Sequence, residues 1–336
     1  MKLLALLVLV PALVAVPGAS GAGATRTIGT RGAVVSISAD GGTVVIHAAV
    51  AGDPDCDSGS AWTPSTGKVV RFQDTRCGPK QSDKQYDALT LAGSRAVWTD
   101  YDYGNHAYCT GPYVATLAKP RPANLGECPA EPDNEDMYWQ YAGDGTLLVA
   151  RSYVLCEASC PPDYDKTFDD QVTFWRVGAG LTKLLTAKDD TKLLDVDAGR
   201  ILVLDPSKKL LVLDASGKQV GSFTPVDDGG AFMSGASRVL VGTRVYDVAT
   251  GKTVKTVTLK GDAKLMDVEN GEAVYFSGTE VRLLTLASGR DRLVARQRGL
   301  GQAYLEPNGL FYSYNVPGGG SKPGRVSFIP ASALPK

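Results

Sequence analysis

Along this chain one arrangement keeps returning: a strand-like stretch, a turn built on Asp or Thr followed by Gly and a basic residue, and a second strand-like stretch. It is clearest at Val245-Tyr246-Asp247-Val248-Ala249-Thr250-Gly251-Lys252-Thr253-Val254, and it returns at Leu213-Asp214-Ala215-Ser216-Gly217-Lys218-Gln219-Val220. Looser copies stand at Leu284–Arg290 and Trp62–Val70. The Asp or Thr side chain can bond the turn amides, Gly tolerates a positive φ, and a β-branched residue starts the return strand. Each copy therefore reads as the tip of a β-hairpin.

Upstream of these tips lies a second recurring hairpin, two apolar strands around a short turn. It reads Val34–Ile37 to Thr43–Ile46, Ala88–Leu91 to Ala96–Thr99, Tyr138–Tyr141 to Leu147–Ala150 and Leu193–Val196 to Ile201–Leu204. Three more follow, Ala231–Met233 to Val239–Val241, Leu265–Val268 to Ala273–Phe276 and Ala303–Leu305 to Leu310–Ser313. Two hairpins per unit and about 40 residues per unit give a four-stranded blade. The expected fold is all-β, a single β-propeller of seven four-stranded blades, with six or eight blades as the alternative. The last unit lacks a strand after Val326–Ile329, while Thr25–Ile28 precedes the first unit with no blade of its own. Pairing the two would close the ring and remove an exposed edge.

The Asp-x-x-Thr-Gly-Lys-x-Val turn resembles that of the broad WD40, YVTN-repeat and quinoprotein-repeat propellers. The likeness is one of fold. The Trp-Asp dipeptide of WD40 repeats is absent, and Lys255 stands where quinoprotein repeats close with Trp. The resemblance thus gives no support for a quinone cofactor, and a propeller by itself implies no activity.

The N-terminus carries Lys2, an apolar run from Leu3 to Val16 and small residues up to Ala24. That order fits a secretory signal peptide over 1–24, with the propeller over 25–336. The run is shorter than the roughly 20 apolar residues of a membrane span, so the mature chain is expected to be secreted or extracytoplasmic. In that setting Cys56, Cys77, Cys109, Cys128, Cys156 and Cys160 form an even set suited to disulfides. In the first two units they fall in the second-to-third turn and the exit loop, and in the third both follow the second strand, so the expected pairs are Cys56 with Cys77, Cys109 with Cys128, and Cys156 with Cys160. Zinc is the alternative, but the spacing offers no second close ligand pair.

The net charge of −1 conceals an uneven distribution, roughly −7 over residues 25–190 and +5 over 191–336. Basic residues are dispersed rather than gathered in a run, which argues against nucleic acid as a partner. The acidic half holds long stretches rich in Asp and Tyr that read as loops on one stapled face. Asp87, Asp100, Tyr101, Asp102, Tyr103, His106 and Asp136 are the candidate ligand or partner residues there. Asp53, Asp55 and Asp57 offer alternate oxygen ligands, a weak calcium candidate because Gly59 and Pro64 break the EF-hand spacing. No other cofactor is expected.

For catalysis the inventory is thin: no nucleophile elbow, zinc-binding helix, phosphate loop or dinucleotide fingerprint occurs. His47 and the four Trp residues fall in strand patterns and read as structural. The sequence therefore points to an exported monomer that binds a protein or glycan through the acidic face of units one to three, without catalysis. The alternative is an extracytoplasmic propeller enzyme, either a carboxylate-based glycoside hydrolase or lyase or a quinoprotein-like oxidoreductase.

Overall fold

The computed structural model describes residues 23–51, 53–72, 84–103, 107–125, 135–156, 171–188, 190–226, 229–317 and 322–336. They form seven four-stranded antiparallel sheets, arranged as the blades of a propeller. Blade 1 contains β2 (Val34–Asp40), β3 (Thr43–Val50), β4 (Asp53–Thr63) and β5 (Lys68–Arg71). Blade 2 contains β6 (Lys84–Ala92), β7 (Arg95–Tyr103), β8 (Ala107–Thr116) and β9 (Lys119–Asn124). Blade 3 contains β10 (Glu135–Asp144), β11 (Leu147–Cys156), β12 (Gln171–Val177) and β13 (Leu181–Lys188). Blade 4 runs from β14 (Lys192–Asp197) and β15 (Arg200–Leu204) to β16 (Leu210–Asp214) and β17 (Gln219–Phe223). Blade 5 is the smallest, with β18 (Ala231–Ser234), β19 (Arg238–Val241), β20 (Arg244–Asp247) and β21 (Thr253–Thr256). Blade 6 holds β22 (Ala263–Glu269), β23 (Glu272–Ser277), β24 (Glu280–Thr285) and β25 (Arg290–Arg296).

Blade 7 is built from both ends of the chain. Its inner strands β26 (Leu300–Glu306), β27 (Gly309–Asn315) and β28 (Gly324–Pro330) are completed by β1 (Arg26–Gly29). The register Arg26↔Phe328, Thr27↔Ser327, Ile28↔Val326 and Gly29↔Arg325 is the expected ring closure.

The second strand of each blade explains the continuous apolar runs in the sequence. Buried on both faces, it sends alternate residues into the seams on either side. Val44 and Ile46 pack into the seam with blade 7, whereas Val45 between them packs into the seam with blade 2. Leu202 likewise faces blade 5, and Ile201 and Val203 face blade 3. The core is accordingly divided into seven apolar clusters, one per pair of adjacent blades, rather than pooled at the centre. Trp62, Trp98 and Trp139 belong to these seams, as expected for packing residues.

Turn chemistry follows the expected pattern. In blade 5 the Asp247 carboxylate accepts the Thr250 amide at 2.9 Å, and Gly251 takes φ +65°. In blade 4 Asp214 accepts the Ser216 amide at 2.9 Å, and Gly217 takes φ +84°.

One expectation is corrected. The described parts of the Asp- and Tyr-rich stretches of units one to three are not long loops but continuations of strands. Asp100, Tyr101, Asp102 and Tyr103 complete β7, Asp87 lies in β6 and Asp136 in β10. Cys56, Cys109 and Cys156 also stand within strands β4, β8 and β11. Tyr has high strand propensity, and ladder pairing outweighs the reluctance of Asp to enter a strand.

Candidate functional site

In each blade the first strand runs from the face bearing the second-to-third turns to the face bearing the inner-hairpin turns. Blades 1 to 3 differ from the others on the first of these faces. There β4 has 11 residues and β7, β8, β10 and β11 have 9 or 10, against 4 to 7 for every strand of blades 4 to 7. The extra length is paired to its ends, at Tyr103↔Ala107 between β7 and β8 and at Glu135↔Cys156 between β10 and β11. The register sets Asp87 opposite Thr99, Asp100 opposite Tyr86, Tyr101 opposite Gln85 and Asp102 opposite Lys84. Four of the sequence-chosen residues thus gather on one ladder, and Tyr103 follows them on β7, opposite Ala107 of β8. Asp136, opposite Leu155, belongs to the neighbouring blade.

His106, Cys77, Cys128 and Cys160 lie outside the described residues. Cys56 is buried, and no described cysteine is free. Asp57 is a structural residue: it is buried, and one carboxylate oxygen lies 2.8 Å from Nε2 of buried His47. Where the extended part of blade 3 begins, Tyr138 and Tyr153 stack with ring centroids 5.6 Å apart. The Arg151 guanidinium lies over Tyr153 at 4.0 Å, a cation–π contact at the inner end of the blade.

The opposite mouth of the ring carries a feature the sequence reading missed. The last residue of the inner strand is acidic in five blades: Asp40, Asp144, Asp197, Glu269 and Glu306. Four of these side chains reach across the seams to backbone amides of the next blade, whereas Glu269 bonds its chain neighbour Asn270. Asp144 accepts from Ala198 at 2.9 Å, Asp197 from Gly235 at 2.6 Å and Glu306 from Gly41 at 3.0 Å. In blade 5 Ser234 plays the same part toward the Gly271 amide at 3.2 Å. Blade 2 ends its inner strand in Ala92, which cannot accept. There Asp40 Oδ2 spans the gap, taking the Gly93 amide of blade 2 and the Gly145 amide of blade 3, the latter at 2.7 Å. A side chain at Gly93 would collide with the Gly145 carbonyl, 2.5 Å from where its Cβ would stand.

One layer deeper, Asp195 accepts the Met233 amide at 2.7 Å and Asp267 the Leu305 amide at 2.8 Å, again blade to blade. A bulge in the inner strand just before each carboxylate re-aims it. Burial pushes six of these carboxyls above their usual range, and for all six but Asp197 the neighbouring acids add to it. Asp195 and Glu269 rise to about 7 and Glu306 to about 9, while Asp144, Asp197 and Asp267 are also raised. The signal was present in the sequence as an acid one to three places before the turn glycine in five of the seven units. Read one turn at a time, it is indistinguishable from ordinary turn chemistry.

The double role of Asp40 gives a sharp expectation. Asp40→Ala leaves two amides without their acceptor and should cost about 2–4 kcal/mol. Asp40→Asn keeps a carbonyl acceptor and should cost less than half of that. Equal losses for the two variants in denaturant titration would remove the hydrogen-bonding account.

No family model matches the sequence, and no curated protein matches it significantly. Solved structures do match. The WD40 propeller domain of Doa1 is 12% identical with a TM-score of 0.54, covering 93% of this chain and 98% of that one. A chain of the mitotic checkpoint complex is also 12% identical, with a TM-score of 0.55 and coverage of 96% and 98%. An oligogalacturonate lyase solved in complex with manganese is 12% identical, with a TM-score of 0.51 and coverage of 93% and 99%. At such identities the likeness is one of architecture. By architecture the chain is a seven-bladed β-propeller, similar in fold to the WD40 propeller domain of Doa1.

Proposed function

We propose that this chain is an exported, non-enzymatic binding protein that takes a protein or glycan partner on the extended strand ends of blades 1 to 3. The observation that carries this reading is the confinement of the extra strand length to three consecutive blades and to one face. Pairing fixes the backbone of these strand ends before a partner arrives, which lowers the entropic cost of docking. Tyr is enriched at interface cores and among the residues that dominate binding energy, which suits Tyr101 and Tyr103 to anchor a partner. Three disulfides on the same face, Cys56 with Cys77, Cys109 with Cys128 and Cys156 with Cys160, would brace it outside the cytoplasm once residues 1–24 are removed. At the far mouth, most carboxylates are engaged with amides of the next blade, which favours a structural over a catalytic role for them.

The test uses the secreted mature chain against an immobilised glycan panel and extracellular protein fractions. Tyr101→Ala combined with Tyr103→Ala should weaken any captured interaction by tenfold or more, equivalent to about 1.4 kcal/mol, with the melting temperature unchanged. Lys255→Ala on blade 5 should leave it intact. Binding that ignores the blade 2 variant, or turnover of the captured glycan, would replace this reading with the hydrolase or lyase alternative.

A further inference from the structure

The acidic mouth concentrates negative charge where the ring can least disperse it. Asp40 comes from β2, Asp144 from β10, Asp197 from β14, Glu269 from β22 and Glu306 from β26, with Asp195 and Asp267 in the layer beneath. The groups acting on one another through space here are all acidic. Glu269 feels Asp197, Asp144 and Asp40, while Glu306 feels Asp40, Asp267 and Glu269. Asp144 faces Asp40 and Asp197, and Asp267 faces Asp195 and Glu269, with Tyr304 of β26 beside Asp267 and Asp195.

The three arginines that open second strands beside the inner-hairpin turns are turned to other partners or to solvent. Arg238, at the start of β19, is ion-paired with Asp247, and Arg200, at the start of β15, stands opposite Asp214 and lowers its carboxyl. Arg95, at the start of β7, is exposed. The two remaining inner strands contribute Ala92 and Ser234, which carry no charge. Yet most of these acids are also the bonds between blades. Each seam they cross is therefore held by a group that is repelled by its neighbours whenever all are ionised.

We propose that this belt is an acid-tightened clasp: protons shared among the channel carboxyls hold adjacent blades together, and their joint ionisation above neutral pH loosens the ring at that mouth. A protonated carboxyl still accepts the next blade's amide through its carbonyl oxygen, and its hydroxyl can donate to an adjacent carboxylate. Ionised, the same groups keep the amide bonds but repel across a narrow, partly desolvated opening.

The sign follows from proton linkage. The unfolded chain releases these protons near pH 4, whereas Glu269 holds its proton to about 7 and Glu306 to about 9. Between those limits the folded state binds more protons than the unfolded state. Stability is therefore fully present in acid and is lost as pH rises through that window. Near neutral pH the mouth is only partly ionised, which leaves it responsive to modest changes in proton concentration.

This inference does not depend on the binding reading, and it is tested without any ligand. The melting temperature of the mature chain is measured between about pH 5.5 and pH 8, alongside Glu269→Gln and Glu306→Gln. The unmodified chain should melt at least about 5 °C higher at the acidic end. Each variant should raise the melting temperature at pH 8 and leave it nearly unchanged at pH 5.5, flattening the profile. Amide hydrogen exchange provides a local readout in the same samples. After correction for the intrinsic pH dependence of exchange, the amides of Gly41, Gly145, Ala198 and Gly235 should lose protection on moving to pH 8, while those of β24 in blade 6 should not. A profile that is flat or rises with pH in the unmodified chain overturns the proposal. So do variants that retain the full slope, or protection that falls equally in β24.

Discussion

Removing residues 25–31 should lower the melting temperature by about 10 °C or more. The deletion strips β1 from β28, with its four paired positions and the Thr27 Oγ1 to Ser327 Oγ contact of 2.8 Å. It also removes the bond from Arg26 to the Pro64 carbonyl, which ties the last blade to the first, and the exchange between Thr30 and Gly324. Ile28 packs against the seam cluster and is lost with the rest. At about 1 kcal/mol for each hydrogen bond and 1–2 kcal/mol for the half-buried side chain, the total is about 5 kcal/mol. The deletion has a further effect, because β28 becomes an open edge whose unpaired groups can template association. Differential scanning calorimetry and light scattering would register both. An unchanged melting curve would mean that the first six blades and three strands close without the N-terminal segment.

The second large effect is expected at the same seam. Phe311 is fully buried, tilted against Phe328 with centroids 4.7 Å apart and edge-on to Trp62 at 6.5 Å. It therefore joins a strand of the last blade to one of the first. Phe311→Ala should cost about 3–5 kcal/mol, because rings held by three strands cannot collapse into the void. Val226→Ala, at a position 70% exposed, serves as the matched control and should cost almost nothing. If chemical denaturation gave Phe311→Ala a cost near that of the control, the seam would be looser than its packing indicates.

Much of the architecture was legible in the sequence because propeller signals are local. A turn such as Asp247 to Lys252 announces itself within six residues, and apolar strands that serve two seams leave uninterrupted runs such as Ile201-Leu202-Val203-Leu204. Ring closure was also accessible, since a unit short of a strand and an unassigned strand at the opposite terminus imply each other. The strand character of Asp100 to Tyr103 was hidden. Acidic residues are poor strand formers in isolation, and the pairing that overrides this comes from β6 and β8. The carboxylate belt was hidden for a different reason. Its members are about 40 to 100 residues apart, and each resembles a turn residue. Only in three dimensions do Asp40, Asp144 and Glu306 share one opening.

The seam between the last and first blades has a topological consequence. Gly23 lies at one end of the described chain, and its ideal Cβ position is 4.0 Å from Ser332 Oγ near the other end. Just beyond, the carbonyl of Pro335 is held by the Arg292 guanidinium at 2.6 Å. The described backbone thus traces a nearly closed loop, so that a circularly permuted chain joining the residues after Ser332 to Gly23 would need only a short linker, with new termini opened in another blade.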